Sequence, residues 1–300
     1  MPIQILTTII LTFNSEDTIA QVIQSCEGLA ARVLVVDSFS TDGTVPIARA
    51  LGCEIVQHAF ENYSVQRNWA QEYARPQPGE WFLHIDSDDV VSPELARSIR
   101  AVKAGDAGGV DGVDGFLVRR LSYFLGTPIR YGHINPSWHL RLFRADRGCC
   151  EDRLYDQHFL VPGPTRRLDG LLIDLQRVSL EKWTAAHNRW STAEALEVVR
   201  GRSQEDAQGP ALSGSLRGDI RMKKRWLKNN IWYRSPLLIR PLVFFLYSYF
   251  LRLGFLDGKN GLIYHFLQAF WFRFLVDAKL HESRLQDGRG GTKGETKKAP

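Results

Sequence analysis

Apolar and polar positions along the first hundred residues alternate between two rhythms. Ile5–Phe13 is a β-branched apolar run, Arg32–Asp37 a second, Glu54–Gln57 a short third and Trp81–Ile85 a fourth. Between them, Asp17–Leu29 places Ile19, Val22, Ile23 and Cys26 at helical spacing, and helices are predicted from about Thr44 to Leu51 and over Ser64–Ala74. Short continuous apolar runs read as strands buried on both faces, whereas the three-and-four spacing reads as helix. Ser92-Pro93-Glu94 opens another helix, with serine as cap and proline at the first helical position. The order predicts an α/β fold, a mostly parallel sheet flanked by helices.

After Gly105 the rhythm changes. Ala104–Gly115 is a Gly- and Asp-rich loop, and from Gly115 to about Asp174 the pattern predicts short strands separated by turns such as Gly126-Thr127-Pro128 and Pro162-Gly163-Pro164. Ser179–Arg200 is helical, Gly201–Gly218 is a polar linker, and a C-terminal amphipathic helical region follows, basic at first and then aromatic. The expected organisation is a Rossmann-like domain over 1–210, a basic and aromatic helical region over 211–283, and a disordered tail over 284–300.

Composition changes this picture little. An apolar fraction of 44% with 24% charged residues is ordinary for a globular protein. Four cysteines with no CxxC pair argue against a disulfide framework or a zinc site, and fit a reducing, cytoplasmic setting. The N-terminal run lacks a basic n-region and a small-residue cleavage site, so no signal peptide is expected. Charge matters more through its distribution. The formal net charge of +5 gathers after residue 216, where Arg217, Arg221, Lys223, Lys224, Arg225 and Lys228 interleave with Met222, Trp226 and Leu227. Such a helix suits an anionic membrane surface, and the acidic N-terminal half argues against nucleic acid. The apolar stretches Leu237–Leu256 and Leu262–Val276 are broken by Arg240, Pro241 and Arg252 and by His265, Gln268 and Arg273. Crossing a bilayer takes about 20 predominantly apolar residues, so these segments are expected to lie in the interface.

Chemistry is expected where strands end, because ligands of open parallel sheets bind beyond the carboxyl ends. Strand one ends in Thr12-Phe13-Asn14, strand two in Asp37-Ser38, and strand four in Asp86-Ser87-Asp88-Asp89. No GxxxxGK[ST] or GxGxxG loop is present, which removes the main support for a P-loop or dinucleotide site. Two carboxylates spaced as Asp86 and Asp88 can reach one Mg²⁺ or Mn²⁺, which fills its other positions with water and phosphate oxygens. That arrangement suits a nucleoside diphosphate leaving group. Asp37 is placed for a base or ribose edge, or for an Asx-turn closing its strand.

Taken together, TIILTFNSEDTI, VLVVDSFSTDGT, SVQRNWA and WFLHIDSDDVVSPEL resemble the inverting glycosyltransferases of family 2, which have the GT-A fold. The resemblance covers about the first hundred residues. It implies a UDP-sugar donor, with Asp37 on the base or ribose, Asp86 and Asp88 at the diphosphate and its metal, and Thr12, Asn14, Arg67 and Asn68 lining the donor pocket. It leaves Asp42 as a turn former. The segment from Tyr123 to Leu160 and the pattern GLIYHFLQAFWFRFLVDAKLHE are similar to lipopolysaccharide core β-glucosyltransferases of the WaaE type. That likeness implies a lipid-linked or lipopolysaccharide-core acceptor and a peripheral enzyme on the cytoplasmic face of the inner membrane.

Inverting transfer needs a general base for the acceptor hydroxyl. Glu151, Asp152 and Asp156 compete, and this chain has Asp156-Gln157 where WaaE-type relatives often have His-Glu. Glutamine cannot take the proton, so Asp152 is expected first and Asp156 second. A catalytically inactive, UDP-binding membrane adaptor is the alternative reading of the same substitution.

Overall fold

The computed structural model describes residues 2–106, 109–133, 135–203 and 211–290, with side chains for all of these except 201–203 and 287–290. Strands β1 (Ile5–Thr12), β2 (Arg32–Asp37), β3 (Glu54–Gln57) and β4 (Glu80–Asp86) alternate with helices α1 (Ile19–Ser25), α2 (Thr44–Ala50) and α3 (Tyr63–Ala74). After β4 come β5 (Asp89–Val91) and α4 (Pro93–Ala104). Next are β6 (Gly115–Phe124), β7 (Thr127–Pro128), β8 (Ser137–Arg144), β9 (Cys149–Cys150), β10 (Phe159–Leu160) and β11 (Thr165–Asp174). The main sheet has the order β3-β2-β1-β4-β8-β6-β11-β5. Its first four strands are parallel, as expected; β8 then runs antiparallel to both β4 and β6.

Successive residues of β1 point to opposite faces and feed two cores. Ile10 joins Leu6, Val22, Leu95, Ile99 and Phe116 beneath α1 and α4. Ile9 joins Leu34, Phe82, Ala70, Leu140 and Phe143 on the α3 side. Both isoleucines are fully buried, each contributing roughly 1.5–3 kcal/mol by leaving water. The start of α4 is as read from sequence: Ser92 Oγ accepts from Leu95 N at 3.2 Å, and Pro93 opens the helix.

Beyond Gly115 the segments expected as short strands include two of ten residues, β6 and β11, paired with each other in parallel. A register shift between Arg167 and Leu171 lets β11 pass the start of α4. Gly170 makes that passage possible: its φ is +97°, and a Cβ there would stand 2.2 Å from Leu95 N.

The C-terminal helices are α5 (Leu180–Ser203), α6 (Ile220–Asn230), α7 (Arg240–Leu246), α8 (Gly258–His265) and α9 (Phe272–Gly290). A wide helical turn, Tyr247–Leu251, extends α7, and another, Phe266–Trp271, joins α8 to α9. This hairpin packs on the α/β body. Ala195 and Val198 of α5 meet Phe272, Val276 and Leu280 of α9, and Phe124, Ile129, Trp183 and Tyr264 form a second contact. The expected boundary at residue 210 and most of the expected tail lie outside the described residues, but α9 continues through Gly290, so 284–290 are helical.

The basic helix differs from its expected form. Arg221, Arg225 and Lys228 face inward. Arg221 pairs with Asp219 and donates to the Phe159 carbonyl, Arg225 pairs with the fully buried Glu151 at 2.8 Å, and Lys228 bridges Asp156 at 3.0 Å and Glu194 at 2.9 Å. Of the six cations, Arg217, Lys223 and Lys224 remain exposed. Basic and apolar positions interleaved on a helix do not say which face meets the protein.

Candidate active site

Register builds the rim. Thr12 lies opposite Asp37, and Leu11 opposite Asp86, so the ends of β1, β2 and β4 meet at one edge. Asp37 is fully buried there, accepting from Ser40 N at 3.0 Å, Ser40 Oγ at 2.5 Å and Gln57 Nε2 at 3.0 Å. Asn14, at φ 47°, donates its N–H to Ser40 Oγ and accepts from Thr41 N, both at 2.8 Å. Together they tie the loop after β2 to the exit of β1. The buried Thr12 hydroxyl beside them has no hydrogen-bond partner. Asp42 Oδ1 accepts from Thr44 N at 3.0 Å in the turn that opens α2.

Charge concentrates at the end of β4. Helix α3 delivers Arg67, whose Nη2 lies 3.3 Å from Asp86 Oδ1, and whose guanidinium sits 5.3 Å from each of the Tyr63 and Phe159 rings. From β8, Arg141 Nη2 reaches Asp86 Oδ2 at 2.9 Å. Both oxygens of Asp86 therefore face arginines. Burial alone would raise the Asp86 carboxyl, but Arg141, Arg67 and Arg120 outweigh it and hold the group well below the usual carboxylate range.

The second half of the sheet supplies what sequence reasoning missed. Asp174, the last residue of β11, is registered opposite Asp89. Arg120 of β6 lies between them, with Nε 2.7 Å from Asp89, Nη1 3.0 Å from Asp174 and Nη2 4.0 Å from Asp88. Asp88, Asp89 and Asp174 each offer an oxygen within 4.8 Å of the others. Burial, then the carboxylates of Asp174 and Asp89, push the Asp88 carboxyl well above its ordinary value against the pull of Arg120. With 41% of the Asp88 side chain still open to solvent, the neighbouring carboxylates are the stronger reason. The buried Asp174 Oδ1 has no hydrogen-bond partner. Hard oxygen donors crowded in this way fit a divalent cation. The group that converges is Asp88, Asp89 and Asp174, while Asp86, expected beside Asp88, is turned to arginines. A signal was available: LLID at 171–174 ends an apolar run in aspartate just as VLVVD and FLHID do.

Asn68 clamps rather than opens its surroundings. Its amide donates to the Cys150 carbonyl at 2.9 Å and accepts from Cys150 N at 2.7 Å, while Ser64 Oγ donates to the Glu151 carbonyl at 2.5 Å. These bonds pin the 150–151 segment to α3. Glu151 is fully buried and accepts from Arg225 and from the backbone of His158 and Leu212, so it is a structural anchor. Asp152, the next residue, is exposed. Asp156 opposes burial with Lys228 and His158, which hold its carboxyl far below the usual range. A carboxylate so stabilised is a weak base. Gln157 donates to the Arg153 carbonyl at 2.8 Å and holds the loop's own shape.

Residues 7–150 match glycosyl transferase family 2. The chain carries a family 2 glycosyl transferase domain. The domain's sheet is parallel on one side of β4 and mixed on the other, the α/β arrangement expected of the chain. An uncharacterized glycosyltransferase of Rickettsia typhi is 26% identical, covering 94% of this chain and 88% of its own length. The lipopolysaccharide core biosynthesis glycosyltransferase LpsC of Rhizobium meliloti is 24% identical, with coverages of 88% and 90%. Glucosyl-3-phosphoglycerate synthase of Mycobacterium tuberculosis, solved with Mn²⁺ and UDP-glucose, is 23% identical, and the likeness covers 40% of this chain and 44% of that one with a TM-score of 0.31. The family match ends at Cys150, so Asp152, Asp156, Asp174 and the C-terminal helices of this glycosyltransferase lie beyond it.

Proposed function

We propose that this family 2 glycosyltransferase moves a sugar from a UDP-sugar to a lipid-linked or lipopolysaccharide-core acceptor, with inversion. The observation that carries this reading is Asp86 gripped by Arg67 and Arg141 beside the Asp88–Asp89–Asp174 group. It sets fixed positive charge and cation-binding oxygens side by side, which is what a departing nucleoside diphosphate requires. Mg²⁺ or Mn²⁺ held by Asp88 with its neighbours would supply countercharge to that leaving group. Thr12, Asn14 and Asp37 shape the nucleotide side of the rim, and Arg67 and Asn68 its floor.

Asp152 is the proposed base. It is exposed and follows directly on the segment that Asn68 and Ser64 pin to α3, the helix that also delivers Arg67. Exposed and without an ion pair among the described residues, it is free to take the acceptor proton, whereas Asp156 is held by Lys228. The likeness to LpsC supports an acceptor in lipopolysaccharide synthesis. The enzyme would then act as a peripheral protein on the cytoplasmic face of the inner membrane. No described helix is long and apolar enough to cross a membrane.

Calorimetric titration with UDP, with and without Mn²⁺, tests the donor site. Binding that requires the metal and disappears in Asp88→Ala is expected. No UDP binding in either condition would overturn the reading, and binding without any turnover of UDP-sugars would favour the inactive adaptor.

A further inference from the structure

Helices α7 and α8 bury a mixed inner side and present an apolar outer side. On the inner side, Arg240, Pro241 and Ser248 of the first helical segment and Tyr264, Ala269 and Phe272 of the second are buried. On the outer side, Ile239, Leu242, Val243, Leu246 and Phe250 follow one another at helical spacing, each 44–59% exposed. Leu262, Ile263, Phe266 and Phe274 repeat the pattern on the partner helix at 38–46%. Between the two, the connection exposes Leu251, Leu253, Phe255 and Leu256. A contiguous exposed apolar patch of this kind marks an interaction surface.

The patch cannot fold back onto its own domain, because the hairpin is already fixed. Asp257 accepts from Arg130 N and Tyr131 N, each at 3.0 Å, and Asn260 reaches Thr127 Oγ1 at 2.8 Å. Asn135 donates to the Tyr264 hydroxyl at 2.8 Å, and Arg240 is paired with the buried Asp277. Phe245 packs across the hairpin on Phe266 and Phe270, with ring centroids 6.2 and 6.5 Å apart. Around the patch, Arg234, Arg252 and Lys259 are exposed, and none of them pairs with a carboxylate among the described residues.

We infer that this hairpin is the element that enters the membrane, as a wedge embedded in one leaflet, its apolar face in the acyl region and Arg234, Arg252 and Lys259 at the headgroups. This deepens the peripheral placement proposed above and rests on it. It assigns the main attachment to apolar insertion, since three of the five cations of α6 are turned inward, Arg221 on Asp219 and Arg225 and Lys228 on Glu151, Asp156 and Glu194. Cationic rim and apolar face are complementary to a bilayer with anionic headgroups. A protein partner, including a second copy of this chain, would not require that combination.

Flotation of the full chain with phosphatidylcholine vesicles, with and without phosphatidylglycerol, tests the inference. The chain is expected to float with both and more strongly with the anionic lipid. Leu242→Glu/Leu246→Glu/Phe250→Glu, all at exposed positions, is expected to lower partitioning by on the order of tenfold or more. Its metal-dependent UDP binding should equal that of the parent, which separates failure of this inference from failure of the donor site and also reports that the variant is folded. Equal flotation of the two proteins, or no flotation of the parent, would overturn the inference. A vesicle-free parent that is dimeric while the variant is monomeric would overturn it in favour of self-association.

Discussion

The strand-end rim and the C-terminal helical region around α6 use charge in opposite ways. At the rim, four aspartates face three arginines around a partly open edge, and Asp88 remains accessible. Behind it, the buried Glu151 and Glu194 are matched by Arg225, Lys228 and Arg273, and the partly exposed Asp156 is held by Lys228, while leucines and phenylalanines face outward. Carboxylates that outnumber their arginines at an open edge can attract a further cation, whereas those matched one for one hold elements together. The lesson is that a charged residue's task follows from its partner and its exposure, and a run of like charges along the chain reveals neither.

The sharpest break of that contrast lies in the two candidate bases. Asp152→Asn should lower turnover of a UDP-sugar and acceptor by about 10²–10⁴-fold with UDP affinity preserved. Asp156→Asn should cost mainly stability, by loss of its pair with Lys228. If kcat falls equally in both, the ion-paired carboxylate participates in chemistry and the division of labour is wrong.

Arg225→Met probes the structural side. It leaves Glu151 fully buried without its cation and should destabilise the fold by about 3–5 kcal/mol, whereas the same change at exposed Lys223 should stay within about 0.5 kcal/mol. Urea midpoints of the two variants measure the difference, and similar midpoints would place Arg225 on the outer face.

A smaller effect should appear with pH. His187 stacks on Trp183 and lies against Phe272, and burial pulls its ring down to about 4. Its neutral form is the one the fold accommodates, so stability is complete above pH ~6.5 and falls as pH drops toward about 4, where the folded ring also protonates. The slope from this one group is at most about 1.4 kcal/mol per pH unit. Thermal melts of the parent between pH 7 and 4.5 should be steeper than those of His187→Gln.

The first hundred residues were largely legible because their signals are local. Apolar runs buried on both faces specify parallel strands, Ser92-Pro93 marks a helix start, and aspartates ending those runs must arrive at one edge once the strands are parallel. Asp37, Asp86 and Asp88 were reached in that way. Asp174 and Arg120 were not, although the LLID run carried the same mark, because their role depends on β11 being inserted between β6 and β5, strands distant from it in the chain.

What the sequence by itself determined, then, is the set of elements, the parallel core and the presence of an acidic strand-end rim, since each follows from periodicity over a few residues. Tertiary structure alone decided which carboxylates converge, that Asp156 is neutralised by Lys228, and that the basic helix turns three of its five cations inward while the hairpin beyond it turns its leucines out. Those outcomes depend on pairings between segments distant in the chain, and Coulomb attraction and desolvation act on distance in space rather than on order in sequence.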